Sequence, residues 1–528
     1  LALEPARTRL YSVNQQSNNI RYNRKNYRVT SIKSGLRRPV PGSIAANQKE
    51  DNHMTTAAAP EIARMHALLQ TQKQASLKHG ILTADERIDW LNRLIGMLVD
   101  NKDEIVDAIS QDFGSRTREL TLVADVLGSI NELKFARDNL TKWMQPEEHA
   151  GMFPDAEARV DYVPLGVVGM LSPWNFPVNL TFAPLAGIVA AGNRCIIKPS
   201  ELTPATSALI ARMISGAFQE SEIAVVLGGP DVAAEFSTLA FDHLLYTGST
   251  AVGRHVMRAA AANLVPVTLE LGGKSPVIVS QCHSVEDAAA RIMTIKTLNA
   301  GQICLAPDYV FVPEQSLERF ITAATTAVGN MFPTLANNPG YTAIINERHF
   351  ARLQGYLSDA KERGARIVEI NPANEDFSSQ NVHRLPPTLV IKPAEDSKIM
   401  QEEIFGPLLP VLTYRNLKEA IDFVNKRDRP LALYFFGQDP SEEHEVLSKT
   451  ISGGVTVNDC MTHAFSETMP FGGVGASGMG AYHGEAGFRT FSHARAVYRQ
   501  CRAIEAEYAL RPPYGEPMQQ YLAAMITR

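Results

Sequence analysis

Beyond Pro164 the chain consists of short β-branched runs spaced by segments of helix length. Val167-Val168-Gly169-Met170-Leu171 and Cys195-Ile196-Ile197 come first, and Pro276-Val277-Ile278-Val279, Tyr309-Val310-Phe311-Val312 and Thr388-Leu389-Val390-Ile391 follow Gly273. Runs that are apolar at nearly every position suit strands buried on both faces, and helical spacers between them are what βαβ units around a parallel sheet require. The pattern predicts an α/β protein with two such domains, one formed by residues 54–150 and 165–269, the other by 270–470.

Before Pro164 the period changes. From Pro60 to about Met144 apolar residues recur at three and four, as in Ile88-Asp89-Trp90-Leu91-Asn92-Arg93-Leu94-Ile95, which predicts an α-rich opening. Pro470 to Gly487 is so rich in glycine that residues 471–487 read as loop. The tail, 501–528, carries two prolines and then an amphipathic fragment suited to packing on a partner subunit.

At 528 residues the chain exceeds what one core usually organises. A net charge of −5 offers no electrostatic attraction to nucleic acid or to an anionic membrane. The longest apolar stretch, Leu180 to Gly192, is shorter than the roughly 20 residues a spanning helix needs, so a soluble cytoplasmic protein is expected. Five scattered cysteines (Cys195, Cys282, Cys304, Cys460, Cys501) suggest neither a disulfide framework nor a zinc site, and fit a reducing compartment. Residues 1–53 are Arg-, Asn- and Ser-rich with few acids; they read as a leader outside the fold, with the chain proper starting at Met54.

Several side chains could carry chemistry. Cys304, in Asn299-Ala300-Gly301-Gln302-Ile303-Cys304, suits a nucleophile exposed by a turn, although a lone cysteine is more often an inert buried thiol. Glu270 lies between Leu269 and Leu271 ahead of a diglycine; desolvation there would raise its pKa toward that of a general base, whereas a cap or ion pair is the plainer role. Asn175, in Pro173-Trp174-Asn175-Phe176-Pro177, follows a strand end and could donate to an oxyanion or simply shape a turn. Lys198 and Glu201, in Lys198-Pro199-Ser200-Glu201, could bond ribose hydroxyls. Gly248, Ser249 and Gly253 stand where a helix N-terminus could face a pyrophosphate, although their spacing departs from the usual dinucleotide fingerprint.

Other chemistries fail on the residues. Gly273-Lys274-Ser275 resembles the end of a triphosphate-binding loop, but the first glycine of that motif would fall at Thr268 and Pro276 interrupts the helix. No His-Glu-x-x-His or Gly-x-Ser-x-Gly motif is present.

Taken in order, six segments resemble the NAD(P)-dependent aldehyde dehydrogenase superfamily: Pro173 to Pro177, Lys198 to Glu201, Gly248-Ser249-Thr250, Glu270 to Lys274, Gly301 to Cys304, and Glu402-Glu403-Ile404-Phe405-Gly406-Pro407. Ala306-Pro307-Asp308-Tyr309 and Pro470 to Gly480 are similar to the class 3 branch, and most of all to bacterial coniferyl aldehyde dehydrogenases. The resemblance implies a Rossmann-type cofactor domain, a catalytic α/β domain and a small β oligomerisation arm from 151–164 and 488–500, in a homodimer. It implies Cys304 as nucleophile, Asn175 with the Cys304 N–H as oxyanion donors, and Glu270 as the base that activates water. Trp174, Lys198, Glu201, Gly248, Ser249, Gly253, Glu403 and Phe405 would contact the cofactor, although Glu403 alone would read as a surface acid and Phe405 as core. No metal is implied. The expected reaction oxidises a coniferyl, other aromatic or long-chain aldehyde with NAD, NADP being possible. A CoA-acylating dehydrogenase, which often lacks the water-activating glutamate, a cysteine hydrolase and an inactive protein of the same fold are the alternatives.

Overall fold

The computed structural model describes residues 59–151, 156–378, 381–500 and 512–527, so the reading of residues 1–53 as a leader lies outside the described residues. The opening is helical as its period predicts. The helix Ala84–Asp100 starts at a capping box in which Thr83 and Glu86 satisfy each other's backbone N–H groups, and it buries Trp90, Leu91, Leu94, Ile95 and Leu98 along one stripe.

Three sheets follow. A small antiparallel one joins β1 (Glu147–Ala150), β2 (Glu157–Pro164) and β16 (Ser492–Arg499), pairing the two segments expected to form the arm. A six-stranded sheet has the order β15-β7-β6-β3-β4-β5, where β3 is Val167–Leu171, β4 Arg194–Lys198, β5 Ile223–Val225, β6 His243–Gly248, β7 Val267–Leu271 and β15 Gly478–Met479. The seven-stranded sheet has the order β10-β11-β12-β9-β8-β13-β14, from β8 (Pro276–Val279), β9 (Tyr309–Pro313), β10 (Arg366–Glu369), β11 (Thr388–Ile391), β12 (Leu408–Tyr414), β13 (Ala432–Phe436) and β14 (Gly454–Val457). Apart from the antiparallel β15 and β10 at their edges, both larger sheets are parallel. β3, β4, β8, β9 and β11 are buried at every position, which is why their sequences lack alternation.

This topology fixes where a site can form. β3 is the switch point of the first sheet, with β4 on one side and β6 on the other, and the loops after β3, β4, β6 and β7 all leave its carboxyl edge. The chain crosses from β7 to β8 through Gly272 to Ser275, so the amino edge of the second sheet follows directly. Cys304, before β9, and Glu403 and Phe405, before β12, belong to loops at that amino edge.

Two boundaries differ from the sequence reading. Glu270, placed at the start of the second domain, sits inside β7 opposite Thr247 and Gly478, so the first sheet extends to Leu271. The stretch 471–487 is not loop throughout: it holds a 3-10 turn, Gly475–Ser477, then β15 on β7, then the start of the helix Gly484–Thr490. Glycine there permits close approach, since a Cβ on Gly478 (φ +134°) would stand 2.0 Å from the Leu269 carbonyl oxygen. The tail helix Glu516–Met525 buries none of its residues. No helix among the described residues is long and apolar enough to cross a membrane.

Candidate active site

Asn175 and Cys304 arrive on loops from different sheets, and a hydrogen-bond lattice joins them. Asn175 Nδ2 donates to the Gln302 carbonyl (3.2 Å), and Asn299 Nδ2 donates to both that carbonyl and the Asn175 carbonyl (3.2 Å each). The Gln302 side chain is fully buried, donating to Asn299 O and Ala343 O and accepting from the Ile345 N–H, each at 3.0 Å. The backbone leading to Cys304 is strained, with Asn299 at φ 49° and Ala300 at φ 50°, a left-handed geometry rare outside glycine. Gly301 then lets this loop touch the next one, because a Cβ on it would lie 2.3 Å from the Gly406 carbonyl oxygen.

Around the thiol the field is negative. Burial, and after it the charges of Glu270 and Glu403, push the Cys304 thiol well above its ordinary value, while its own N–H and that of Leu305 favour the thiolate. The Glu270 carboxyl is raised well above the usual range by burial and then by Glu403. Both Glu270 oxygens are buried without a hydrogen-bond partner. An acid in β7 that neither caps nor pairs sits there at a cost in stability, the condition under which a catalytic role becomes the better explanation.

Glu403 belongs to a second built unit. Lys274 Nζ bonds Asp308, Ile399 O (2.7 Å) and Glu402 O (2.9 Å), and Asp308 accepts from the Ile404 N–H (3.0 Å). Three motifs far apart in sequence thus lock one loop. Burial and the Asp308 charge push Glu403 up to about 8. Its Oε1 is buried and unpartnered, and Gly272 is small because a Cβ there would stand 2.1 Å from Glu403 Oε2. Phe405, at φ 47°, packs edge-on against Trp174 (5.3 Å between ring centroids).

At the carboxyl edge of the first sheet, buried Lys198 donates to the half-exposed Glu201 (2.8 Å). Partial burial opposes ionisation of Glu201, but the hydrogen bond and charge of Lys198 leave it below the usual carboxylate value. Gly248 ends β6, and Ser249 caps the helix Thr250–Ala261 by accepting from the Val252 N–H. Lys198, Glu201, Gly248 and Ser249 thus gather polar groups at the carboxyl edge of the first sheet, beside a helix N-terminus of the kind that suits an anionic phosphate. Gly253 is buried on that helix, where a Cβ would lie 2.7 Å from Leu271 Cδ2, so its smallness permits the close packing of helix on sheet.

Comparison with known proteins agrees with this arrangement. The aldehyde dehydrogenase family profile matches residues 44–497. The chain belongs to the aldehyde dehydrogenase family. It is 57% identical over 473 residues to a probable coniferyl aldehyde dehydrogenase of Caulobacter vibrioides, covering 88% of this chain and 97% of that protein. It is 54% identical over 464 residues to the coniferyl aldehyde dehydrogenase of a Pseudomonas strain, covering 88% and 96% respectively. Among solved structures, the substrate-bound state of Staphylococcus aureus AldH superposes with a TM-score of 0.82 at 35% identity, over 88% of this chain and 99% of that one. The protein is an NAD(P)-dependent oxidoreductase that converts an aldehyde to a carboxylic acid.

Some residues of this aldehyde dehydrogenase that shape the site escaped the sequence reading. Arg116 and Asp125 form an ion pair (2.7 Å) whose side chains have no exposure. Arg116 also donates to the Asn175 carbonyl (3.0 Å), and Asp125 accepts from the Val178 and Asn179 N–H groups (3.1 Å each). Lys296 is fully buried with no partner at Nζ, its pKa lowered by burial to about 8. Nothing local marks these residues, and what Arg116 and Asp125 hold, the backbone of Asn175, Val178 and Asn179, lies far along the chain.

Proposed function

We propose that Cys304 is the nucleophile of this aldehyde dehydrogenase, Glu270 its base and Asn175 its oxyanion donor, acting on coniferyl aldehyde or a related aromatic or long-chain aldehyde. The observation that carries the assignment is the Glu270 carboxylate, buried and unpartnered, with its charge bearing on the Cys304 thiol. The substrate class is supported by the names of the two relatives above 50% identity.

Cys304 Sγ adds to the aldehyde carbon as its proton leaves for Glu270. The new oxyanion accepts from Asn175 Nδ2 and from the Cys304 N–H, donors already fixed where charge develops. Bound NAD(P) supplies the hydride acceptor, and Trp174, Lys198, Glu201, Gly248, Ser249, Glu403 and Phe405 are the residues that would hold it. Once the Cys304 proton has left Glu270 for solvent, the ionised carboxylate takes a proton from water as the water oxygen bonds to the thioester carbon. The C–S bond then breaks, the carboxylic acid leaves, and Glu270 returns its proton to the Cys304 thiolate.

Because Glu270 must be ionised to accept that proton and its pKa lies well above the usual range, acid formation is expected to rise with pH through that raised value and to fall below it. Glu270→Gln should slow acid release by about 10²–10³-fold, while NADH, formed more slowly without the acceptor for the Cys304 proton, still reaches one per subunit before acid appears in a rapid-mixing experiment. Full steady-state turnover in that variant would remove Glu270 from the assignment. NADH formation across coniferyl, benzyl and long-chain aldehydes tests the substrate.

NAD is the proposed preference. The Glu201 carboxylate favours a free ribose 2′-hydroxyl and repels a 2′-phosphate. Turnover at equal cofactor concentrations should favour NAD, and Glu201→Gln should narrow the ratio; faster turnover with NADP by the parent enzyme overturns the preference. A homodimer is proposed, with the arm sheet and the exposed Tyr521, Leu522 and Met525 of the tail helix as supporting surfaces. A cytoplasmic location is supported by the unpaired Cys195, Cys282, Cys304 and Cys460.

A further inference from the structure

The proton that Glu270 takes from Cys304 must leave before Glu270 can activate water, and Glu270 has no hydrogen-bonded neighbour among the described side chains to receive it. Tyr482 lies four residues beyond Gly478, which pairs with Glu270 across the sheet. This tyrosine is 1% exposed, held by paired backbone bonds to Phe471 (2.8 Å each), and its hydroxyl has no partner. Burial raises its pKa first, and the charges of Glu270, Cys304 and Glu132 also bear on the hydroxyl. A buried phenol normally finds a partner, so one left open in the field of two acids invites a role in proton movement.

Glu132, on the helix Gly128–Trp143, is equally unusual: it is 6% exposed and has no cation to pair with. The nearest base is His483, whose Nδ1 is 3.4 Å from Glu132 Oε1 but forms no hydrogen bond. Burial pushes that imidazole down to about 4, so it is neutral near pH 7. The Gly484 N–H donates to Glu132, and the Glu467 carboxylate, half-buried toward the surface, repels its charge. Burial and that repulsion push Glu132 up to about 7, where a carboxyl both takes and releases protons readily. His483 keeps a left-handed backbone (φ 80°) and stacks on Phe471 at 5.2 Å, holding Tyr482 and Gly484 on either side of it in place.

We propose that Tyr482 and Glu132 form a proton outlet that returns Glu270 to its basic form between hydride transfer and thioester hydrolysis, a proposal that rests on Glu270 being the deacylation base. The Glu270 O–H bond breaks as a proton joins Tyr482 Oη, directly or through one water. The original Tyr482 O–H bond breaks as its proton joins the Glu132 carboxylate, which releases it to solvent beside Glu467. No electrons are exchanged with any group.

Single-turnover rapid quench on the full-length protein with NAD and coniferyl aldehyde, or benzaldehyde if that is the better substrate, measures NADH formation and acid release separately. In Tyr482→Phe and Glu132→Gln, NADH formation is expected to stay within about twofold of the parent and acid release to slow roughly 10- to 100-fold. Acid release should gain a larger solvent deuterium effect, and imidazole should restore part of it in Glu132→Gln. Glu132→Asp should recover most of the rate. Unchanged acid release in both variants, or parallel loss of both steps, overturns the outlet. Glu270→Gln run in the same assay separates the two claims: parent-like acid release there would refute the base itself, whereas slow release there with normal Tyr482 and Glu132 variants refutes only the route.

Discussion

Cys304→Ala is expected to leave no NADH formation above background, a loss of at least about 10⁴-fold, with the thermal melt essentially unchanged. The size follows from what remains. Removing Sγ takes away the only described thiol set among the proposed catalytic groups: Cys195 is buried within β4, Cys460 is buried with its thiol raised by burial and by Asp459, and Cys282 lies exposed beyond the end of β8. Oxyanion donors without a nucleophile bind the aldehyde but form no bond to it. The small change in stability follows because Cys304 is only partly buried, so truncation creates little cavity. Turnover surviving the substitution would move the chemistry elsewhere.

The raised thiol sharpens that prediction into one about pH. Burial and two carboxylates hold Cys304 protonated near neutrality, so nucleophilic addition and proton transfer to Glu270 belong to one event. Both groups are raised by the same exclusion of water, so neither works as an isolated residue. The site tolerates this because the loops around it are fixed independently, through Gln302 on one side and Lys274 with Asp308 on the other.

The strands were legible because burial on both faces writes itself as uninterrupted apolar runs, as in β3, β8 and β9. Glu270 was legible for a related reason, an acid flanked by leucines in a strand. Gly253 is ambiguous in sequence because a glycine after a strand suits a phosphate and a tight helix–sheet contact equally, and the Leu271 side chain that a Cβ there would crowd lies eighteen residues on. The stretch 471–487 misled because two of its glycines, Gly478 and Gly480, mark close contacts with β7, a partner about two hundred residues earlier that no local period can reveal. Tyr482 was hidden in the same stretch. Glu132 looks like any helical glutamate until the loop before the helix Gly484–Thr490 covers it.

Arg116→Met is expected to be the most destabilising change near the site, costing about 3–5 kcal/mol, because it strands a buried carboxylate. Asp125 has no exposure, and burial already pushes it toward the neutral form against the opposing charge of Arg116 and the N–H groups of Val178 and Asn179. Without the guanidinium, only those two N–H bonds remain to it. The loss also reaches catalysis, because Arg116 shares the Asn175 carbonyl with Asn299 and so braces the amide proposed as the oxyanion donor. Two readouts should therefore move together: a melt lowered by several degrees, and kcat reduced well below the melt while KM for the cofactor stays nearly constant. Arg116→Met combined with Asp125→Leu should recover much of the stability, since no buried charge is then left alone, yet should not recover kcat, since Asn175 still lacks its brace. If the double variant regains both, the pair is a packing element only, and the orientation of Asn175 depends on Asn299 and Gln302 alone.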